Sequence, residues 1–410
     1  MDNITHSLFG AAVSESVWCL IPDDKKDRYP QDTRKSLFIT SVIANNIPDV
    51  DVFYSGWMHV NRQLGNLLHH RGHTHTIPFS LLLSLFLLGG LALGSAKKRT
   101  SREKQVWGLL SLVALLGPLI HILLDGVNNY GVHPFWPWDP SWKYGDLIFV
   151  LEPWAWVSIS VFLYSLTKNK RLRNAYLAVI FSALGLSWLL GVVPPVMSSV
   201  LSIWALLVLI LLKGISPVRK TVIHWISFTV LIAVFVMGAN KTRTIIQEAL
   251  IQEGTAFKIE DLSISPLPVN PFCWSVVTSE TNATKYRLRR GMVTPFENVV
   301  PLSVCANLRF FSAGIKNPPK TTSLIWEQEK NLLLSELREL REQYCDVRDF
   351  LKFARTPFFW RQGTELYVSD FRFERGDSRS FSRIKISSRQ PPCADPRAPW
   401  TEPRSKLFFQ

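Results

Sequence analysis

The chain has few cysteines and no cysteine motif. Five cysteines occur in 410 residues, and no two stand at the C-x-x-C spacing that thiolate zinc sites use. A zinc site built on sulfur is therefore not expected. Cys19 lies in a hydrophobic stretch, and the other four lie in the C-terminal half: Cys273, Cys305, Cys345 and Cys393. In an exported domain these four can form two disulfides or remain free thiols, and their spacing leaves the pairing open.

The sequence also lacks the marks of a nucleic-acid-binding protein. Its net charge is +14, but its C-terminal half has no basic run and no platform of interleaved basic and aromatic residues. Much of the positive charge stands in short loops between apolar segments, where it reports membrane topology. We therefore expect no nucleic-acid partner. No cleavable signal peptide is evident either, because Asp2, His6 and Glu15 interrupt the N-terminal region.

Long apolar segments dominate the middle of the chain. A membrane-spanning helix needs about 20 apolar residues. Segments that meet or approach this length lie at 77–96, 106–125, 147–166, 175–193, 196–212 and 222–240. The expected fold is mainly α, with a polytopic helical membrane domain that carries N-terminal metal-site helices and a C-terminal soluble α+β domain. We place the metal-binding helical core at 1–135, the remaining spans at 136–240 and the soluble domain at 241–410.

Basic clusters predict the orientation of these segments. They occupy the loops at 97–104, 168–173 and 213–220, which fall on one side of the membrane if the spans alternate. Short loops rich in Lys and Arg stay in the cytoplasm. The sequence thus predicts a multi-pass protein of a bacterial inner membrane, with the lipid bilayer as its first partner. Residues 241–410 are then extracytoplasmic.

The C-terminal half has the pattern of a small α+β domain. Alternating stretches at 275–277, 285–288 and 365–373 predict strands. Residues 326–345 place leucines on one face and charges opposite, which predicts a helix. Pro266, Pro268 and Pro271 predict a loop.

Histidine is concentrated at the other end of the chain. Eight of the nine histidines lie in the first 133 residues. Together with aspartates they form four blocks: His6, Asp49 with Asp51, the segment 69–75 that we call the histidine block, and His121 with Asp125. Histidine and aspartate hold divalent metals through nitrogen and oxygen. Ionisable residues at membrane depth are costly and mark function by default.

The two strongest blocks are the last two. His121 and Asp125 are four residues apart, so a helix places them on one face with Cβ atoms about 5–6 Å apart; the alternative is that neighbouring polar groups satisfy both. The histidine block supplies four imidazoles in seven residues, and Gly72 permits a turn. Not all four need bind a metal.

His6 and the Asp49/Asp51 pair are weak alone, since aspartates also cap helices and fill turns. Two predicted helices, at 3–21 and 34–47, form a hairpin that brings both blocks to one end. Whether this hairpin spans the membrane or only enters it remains open. Glu152 is a further candidate, as a ligand or a general base, although a helix-capping role fits equally well.

These motifs resemble the YdjM-type family of membrane-bound metal-dependent hydrolases. The resemblance rests on Asp2-x-x-Thr5-His6, Pro48-Asp49-x-Asp51, His70-Arg71-Gly72-x-Thr74-His75 and His121-x-x-x-Asp125-x-x-Asn128-x-Tyr130-Gly131. It covers about the first 135 residues, while Asn270–Trp274 and Asp370–Phe373 resemble the tail of longer members. Thr76 replaces the family's usual serine, and the position of His73 is variable. The family is distantly similar to zinc-dependent phospholipase C, which implies helices around a metal cluster.

The sequence is therefore interpreted as a membrane-bound hydrolase. Water activated by one or two divalent metals, with zinc the expected ion, would attack an ester or phosphoester. The expected ligands are His6, Asp49, Asp51, His70, His75, His121 and Asp125. Arg71 suits a substrate phosphate. The location predicts a phospholipid or lipid-linked substrate at the outer face. Two alternatives are a metal-binding transporter and a membrane scaffold with a structural metal.

Overall fold

A computed structural model describes residues 1–94, 101–189, 191–254, 256–306, 308, 323–374, 380–387, 392–393 and 398–407. Its α-helices are α1 Asn3–Leu20, α2 Asp23–Lys26, α3 Thr33–Asn46, α4 Arg62–His69, α5 Ile77–Gly94, α6 Ser101–Gly126, α7 Pro153–Leu166, α8 Lys170–Leu189, α9 Pro195–Leu211, α10 Pro217–Gln252, α11 Leu302–Ala306, α12 Leu334–Gln343 and α13 Cys345–Leu351. Its strands are β1 Lys258–Leu267, β2 Asn270–Thr281, β3 Lys285–Val293, β4 Leu324–Leu333, β5 Pro357–Gln362, β6 Glu365–Asp370 and β7 Ile384–Lys385.

The N-terminal helices pack closely through glycine. A Cβ atom on Gly10 of α1 would lie 2.7 Å from the carbonyl oxygen of Ser41 in α3. A Cβ atom on Gly117 of α6 would lie 2.5 Å from the Cβ of Ala44, also in α3. Small residues let helix backbones approach in this way inside membranes. Helix α3 is thus held between α1 and α6, and the two helices predicted at 3–21 and 34–47 are confirmed.

Each predicted apolar segment contains a helix, but the helices differ in length. Three are long and apolar enough to cross a membrane, over Lys104–Gly126, Lys170–Leu189 and Pro217–Gln252. A fourth span results if Arg62–His75 and Ile77–Leu93, bent by 69°, count as one. The helix of segment 147–166 begins only at Pro153, and α7 has 14 residues. Helix α10 continues past residue 240 to Gln252. Of the basic loop at 97–104, residues 97–100 lie outside the described part.

The C-terminal region contains two antiparallel sheets, one with the order β1-β2-β3-β4 and one with the order β5-β6-β7. The three predicted strands are confirmed. The helix predicted over 326–345 is wrong in its first half, because 324–333 pairs with β3 and places Leu332 opposite Tyr286. Sheet pairing satisfies these backbone groups, and the leucine periodicity describes only α12. Of the three prolines predicted to form a loop, Pro268 lies in the tight turn between β1 and β2, whereas Pro266 lies in β1 and Pro271 lies in β2.

The four C-terminal cysteines form two disulfides, Cys273–Cys305 and Cys345–Cys393. The first is buried in a core shared with the helices, and the second borders a core around Phe350. That second core also contains the leucines of α4. The helical and sheet regions therefore share their hydrophobic interiors.

Polar contacts also join the two regions. Arg355 donates to Asp146 over 2.8 Å and to Asp261 over 2.6 Å, and all three side chains are largely buried. Arg372 donates to the carbonyl oxygen of Asn129. Because Asp146 and Asn129 lie in the segment that follows α6, the sheet region holds this segment in place.

Candidate metal centre

Four side chains from three parts of the chain converge at the end of α6. The Nε2 atoms of His75 and His121 lie 3.0 Å apart. Oδ1 of Asp49 lies 3.4 Å from the first nitrogen and 3.5 Å from the second. Oδ2 of Asp125 lies 3.3 Å and 3.6 Å from the same two atoms. We call these four side chains the tetrad. They form a cluster that could bind a metal ion.

A contact at Nδ1 fixes the orientation of each of the two imidazoles. Nδ1 of His121 donates to the carbonyl oxygen of Asn45 over 2.7 Å, at the end of α3. Nδ1 of His75 lies 3.2 Å from Oδ2 of Asp51. An imidazole that donates from Nδ1 presents the lone pair of Nε2, the form that binds metal. The tetrad thus directs two nitrogen lone pairs and two carboxylates toward one point.

Asp51 organises the histidine block. Its Oδ2 accepts hydrogen bonds from Thr74 Oγ1 at 2.7 Å and from the backbone N–H of Arg71 at 3.0 Å. Its Oδ1 lies 2.9 Å from Nδ1 of His70. These contacts hold Arg71 at a φ of 61°, a left-handed conformation that non-glycine residues rarely adopt. The turn predicted at Gly72 therefore includes Arg71.

Asp49 belongs to two possible ligand groups. One is the tetrad, and the other combines Asp49, Asp51 and His70. Burial opposes ionisation of Asp49, but the neighbouring imidazoles of His121 and His75 hold its pKa well below the ordinary value. Burial likewise opposes ionisation of Asp51, and hydrogen bonds from His70 and His75 outweigh it, so its pKa is also low. Both side chains are therefore carboxylates at neutral pH, the form that binds cations.

His6 lies against the tetrad without joining either group. Its ring stacks on that of His121 with centroids 3.7 Å apart, and its Nε2 lies 3.3 Å from Oδ1 of Asp125. The amino group of Met1 also contacts this oxygen. Both nitrogens of His6 and both oxygens of Asp125 are buried and have no hydrogen-bond partner among the described residues. Buried polar atoms without partners are expensive unless another group binds them.

Arg71 is buried beside the tetrad and its guanidinium group is engaged. Its Nε lies 2.9 Å from Oδ2 of Asp125, and its Nη1 donates to Oδ1 of Asn128 over 3.1 Å. The ring of Tyr130 lies 4.8 Å from the guanidinium carbon. Arg71 therefore balances part of the negative charge of the cluster, while it also borders an adjoining cavity.

That cavity has a volume of ≈ 440 Å³ and contains both polar and aromatic groups. His70, Arg71 and Asn128 line one side. Phe373 and Phe381, from the C-terminal region, line another side. We call it the headgroup pocket. The sequence does not predict this contribution of the C-terminal region, although its Asp370–Phe373 motif resembles the tail of longer family members.

The structure does not bring Glu152 into either ligand group. It precedes α7, and its Oε1 accepts the amides of Trp154 at 3.3 Å and Val269 at 3.2 Å. This is the capping arrangement that the sequence left open as the alternative. His73 contacts the rings of Trp136 and Trp400 and also stands outside both groups.

Comparison with known proteins agrees with the motifs. Residues 1–194 match the family model described as YdjM inner membrane protein. This match covers just under half of the chain. The matched residues include the tetrad and all of α1–α8, so the predicted resemblance is confirmed over this region. No curated protein and no solved structure matches the chain.

Proposed function

We propose that this chain is a multi-pass membrane hydrolase whose His/Asp cluster holds one or two divalent metals, with zinc the expected ion. The observation that carries the proposal is the shape of the tetrad. Five of the distances between its ligand atoms lie between 3.0 and 3.6 Å. A tetrahedral zinc site with bonds of about 2.0–2.1 Å has ligand atoms about 3.3–3.4 Å apart. The tetrad has these dimensions.

Chemistry supports the same conclusion. The four convergent atoms are all acceptors when both imidazoles donate from Nδ1, so a cation is the natural partner. Asp49 also belongs to a second group with Asp51 and His70, and these residues would hold a second ion. Divalent ions held by these residues would supply Lewis acidity and lower the pKa of water toward neutrality, as hydrolysis of an ester or phosphoester requires.

The neighbouring side chains suit an anionic substrate. Arg71 and Asn128 border the headgroup pocket, and the exposed edge of His70 faces the same space. Arg71 neutralises Asp125 and keeps positive charge close to the position of a substrate oxygen. Phe373 and Phe381 limit the access of water from the side of the C-terminal region.

The helices support an outer-face location. His121 and Asp125 stand at the C-terminal end of α6, and Lys104 stands near its beginning. Helix α10 begins at basic residues and leads into the sheet region beside the cluster. If the basic ends are cytoplasmic, the cluster and the residues after α10 are extracytoplasmic. A transporter would need ligands along a path through the membrane, whereas these ligands are gathered at one end.

A structural metal is the second candidate, because three of the four tetrad side chains are at most 1% exposed. The test is to purify the full chain in detergent, measure bound metal by mass spectrometry and assay hydrolysis of phospholipid vesicles and of a soluble chromogenic phosphodiester. His121→Ala and Asp125→Ala should lose metal and hydrolysis together. His73→Ala is the matched control from the histidine block and should retain both.

The two candidates give different results in this assay. Metal bound to the unaltered protein with no turnover of any ester would favour the structural role. Full hydrolysis by both tetrad variants would refute the site assignment.

A further inference from the structure

A second cavity shares a lining residue with the headgroup pocket. It has a volume of ≈ 390 Å³ and lies between α1, α6 and α10, and apart from Glu152 its side chains are apolar. Met1 lines both cavities. We call the second cavity the acyl groove.

The acyl groove runs from the candidate metal centre along the membrane-spanning helices. Val127 lines it just beyond α6, whereas Ile120 lines it two turns deeper. On α10 its lining extends from Trp225 to Phe235. At 1.5 Å per residue these ten steps correspond to about 15 Å, half the thickness of the hydrocarbon core.

The groove is accessible from the side that faces lipid. Leu123 at its edge is 66% exposed, and Phe228 and Leu231 are half-buried. Helices α6 and α10 are among the three that can cross a membrane. If they do, the surroundings of this opening are hydrocarbon chains and not water.

We propose that the acyl groove holds one acyl chain of an anionic membrane lipid whose phosphate-bearing headgroup lies in the headgroup pocket beside His70 and Arg71. Cleavage of that lipid rests on the proposed function; its binding does not. An amphiphile is the kind of molecule that fits an apolar channel joined at one end to a cationic, hydrogen-bonding pocket.

Photolabelling of the full-length protein as purified tests the proposal. The probe is a dialkyl-glycerol phosphonate with a diazirine in one alkyl chain, which has no ester to hydrolyse, and its cross-links are mapped by mass spectrometry. Labels are expected on residues that line the groove, such as Ile120, Phe228 and Leu231. A dialkyl-glycerol probe without the phosphonate should label these positions more weakly, because it lacks the anionic group.

Two variants of α10 form a matched pair. Leu231→Trp fills the groove and should abolish its labelling. Val230→Trp adds the same side chain to the neighbouring residue, which is 57% exposed and outside the lining, and should leave labelling unchanged. If Leu231→Trp does not fold, the positions labelled in the unaltered protein test the proposal on their own.

The outcomes separate this inference from the proposed function. Labels spread evenly over the lipid-facing surfaces of α8, α9 and α10 would overturn the acyl groove, as would undiminished labelling of folded Leu231→Trp. Groove labelling without hydrolysis of any ester would support the groove and count against the hydrolase. Hydrolysis of the soluble phosphodiester without groove labelling would support the hydrolase and count against the acyl groove.

Discussion

Gly117→Ala should release metal from a site that it does not touch. Gly117 packs on Ala44 one helical turn before His121, and the residue after Ala44 supplies the carbonyl oxygen that holds the His121 ring. A new Cβ atom would lie 2.5 Å from the Cβ of Ala44, whereas ordinary contact begins at 3.4 Å. Helix α6 must therefore move by about 0.9 Å or more relative to α3, because packed interiors absorb added atoms poorly.

This displacement is large compared with the range of lengths that the hydrogen bond between His121 and Asn45 tolerates. The distance from His121 Nδ1 to Asn45 O is 2.7 Å, and it would open beyond the range of about 2.7–3.2 Å in which such bonds are strong. Loss of a contact behind a metal-binding histidine typically lowers metal affinity about 10–100-fold. We expect a loss of that size, measured by competition with a chelator dye of known affinity.

Gly108→Ala is the control for this prediction. Gly108 lies in the same helix, and a Cβ atom there meets nothing within 4 Å among the described residues. It should bind metal normally and gain up to about 1 kcal/mol of helix stability. Adding Ala44→Gly to Gly117→Ala should restore part of the affinity. Unchanged metal affinity in folded Gly117→Ala would refute the coupling between α3–α6 packing and the tetrad.

Four further predictions concern the sheet region and the topology. Arg355→Gln should destabilise by about 3–5 kcal/mol, because it leaves the buried carboxylate of Asp146 without its cation, whereas Asp261 keeps Arg404; a urea titration of this variant against Arg355→Lys, which keeps the charge, measures it. Replacing Cys345 and Cys393 by Ser opens a loop of sequence separation 48 and should cost about 4 kcal/mol by the chain-entropy relation, seen as a lower urea midpoint. Burial opposes ionisation of Asp370, but Arg372 holds its pKa below the ordinary 3.8. The stabilisation that this carboxylate contributes should therefore persist above that pH and disappear as the pH falls below it. Asp370→Asn should make the free energy of unfolding depend less on pH in this acid range. A reporter fused after residue 410 should be extracytoplasmic, and a cytoplasmic reporter would reverse the orientation.

The sequence identified the members of the candidate site because their chemistry is local. His121 and Asp125 share a helix face at a four-residue spacing, and the histidine block is dense enough to be conspicuous. Their exact partnership was not predictable. The role of Asp51 behind His75 depends on a turn with a left-handed Arg71, and the carbonyl oxygen of Asn45 carries no side-chain signal.

The sequence predicted the fold correctly where the length of an apolar segment, or its alternation of apolar and polar residues, determines the structure. It failed where pairing with a strand elsewhere in the chain determines the structure. The sequence pattern assigns residues 326–333 to a helix together with the leucines of α12, yet strand β3 pairs with their backbone. The walls contributed by Phe373 and Phe381 were missed for the same reason. Nothing near them in the sequence indicates contact with Tyr130, more than 240 residues earlier.

The contacts around Tyr130 determine when the site becomes complete. Its ring packs against Phe353, Phe373 and Phe381, while Arg71 lies over it from the other side. Contacts this distant in sequence form late in folding, since a long loop must close before they stabilise anything. A newly made chain whose helices have inserted therefore has its metal-binding residues before it has a closed pocket. Maturation of the pocket waits for the last part of the chain.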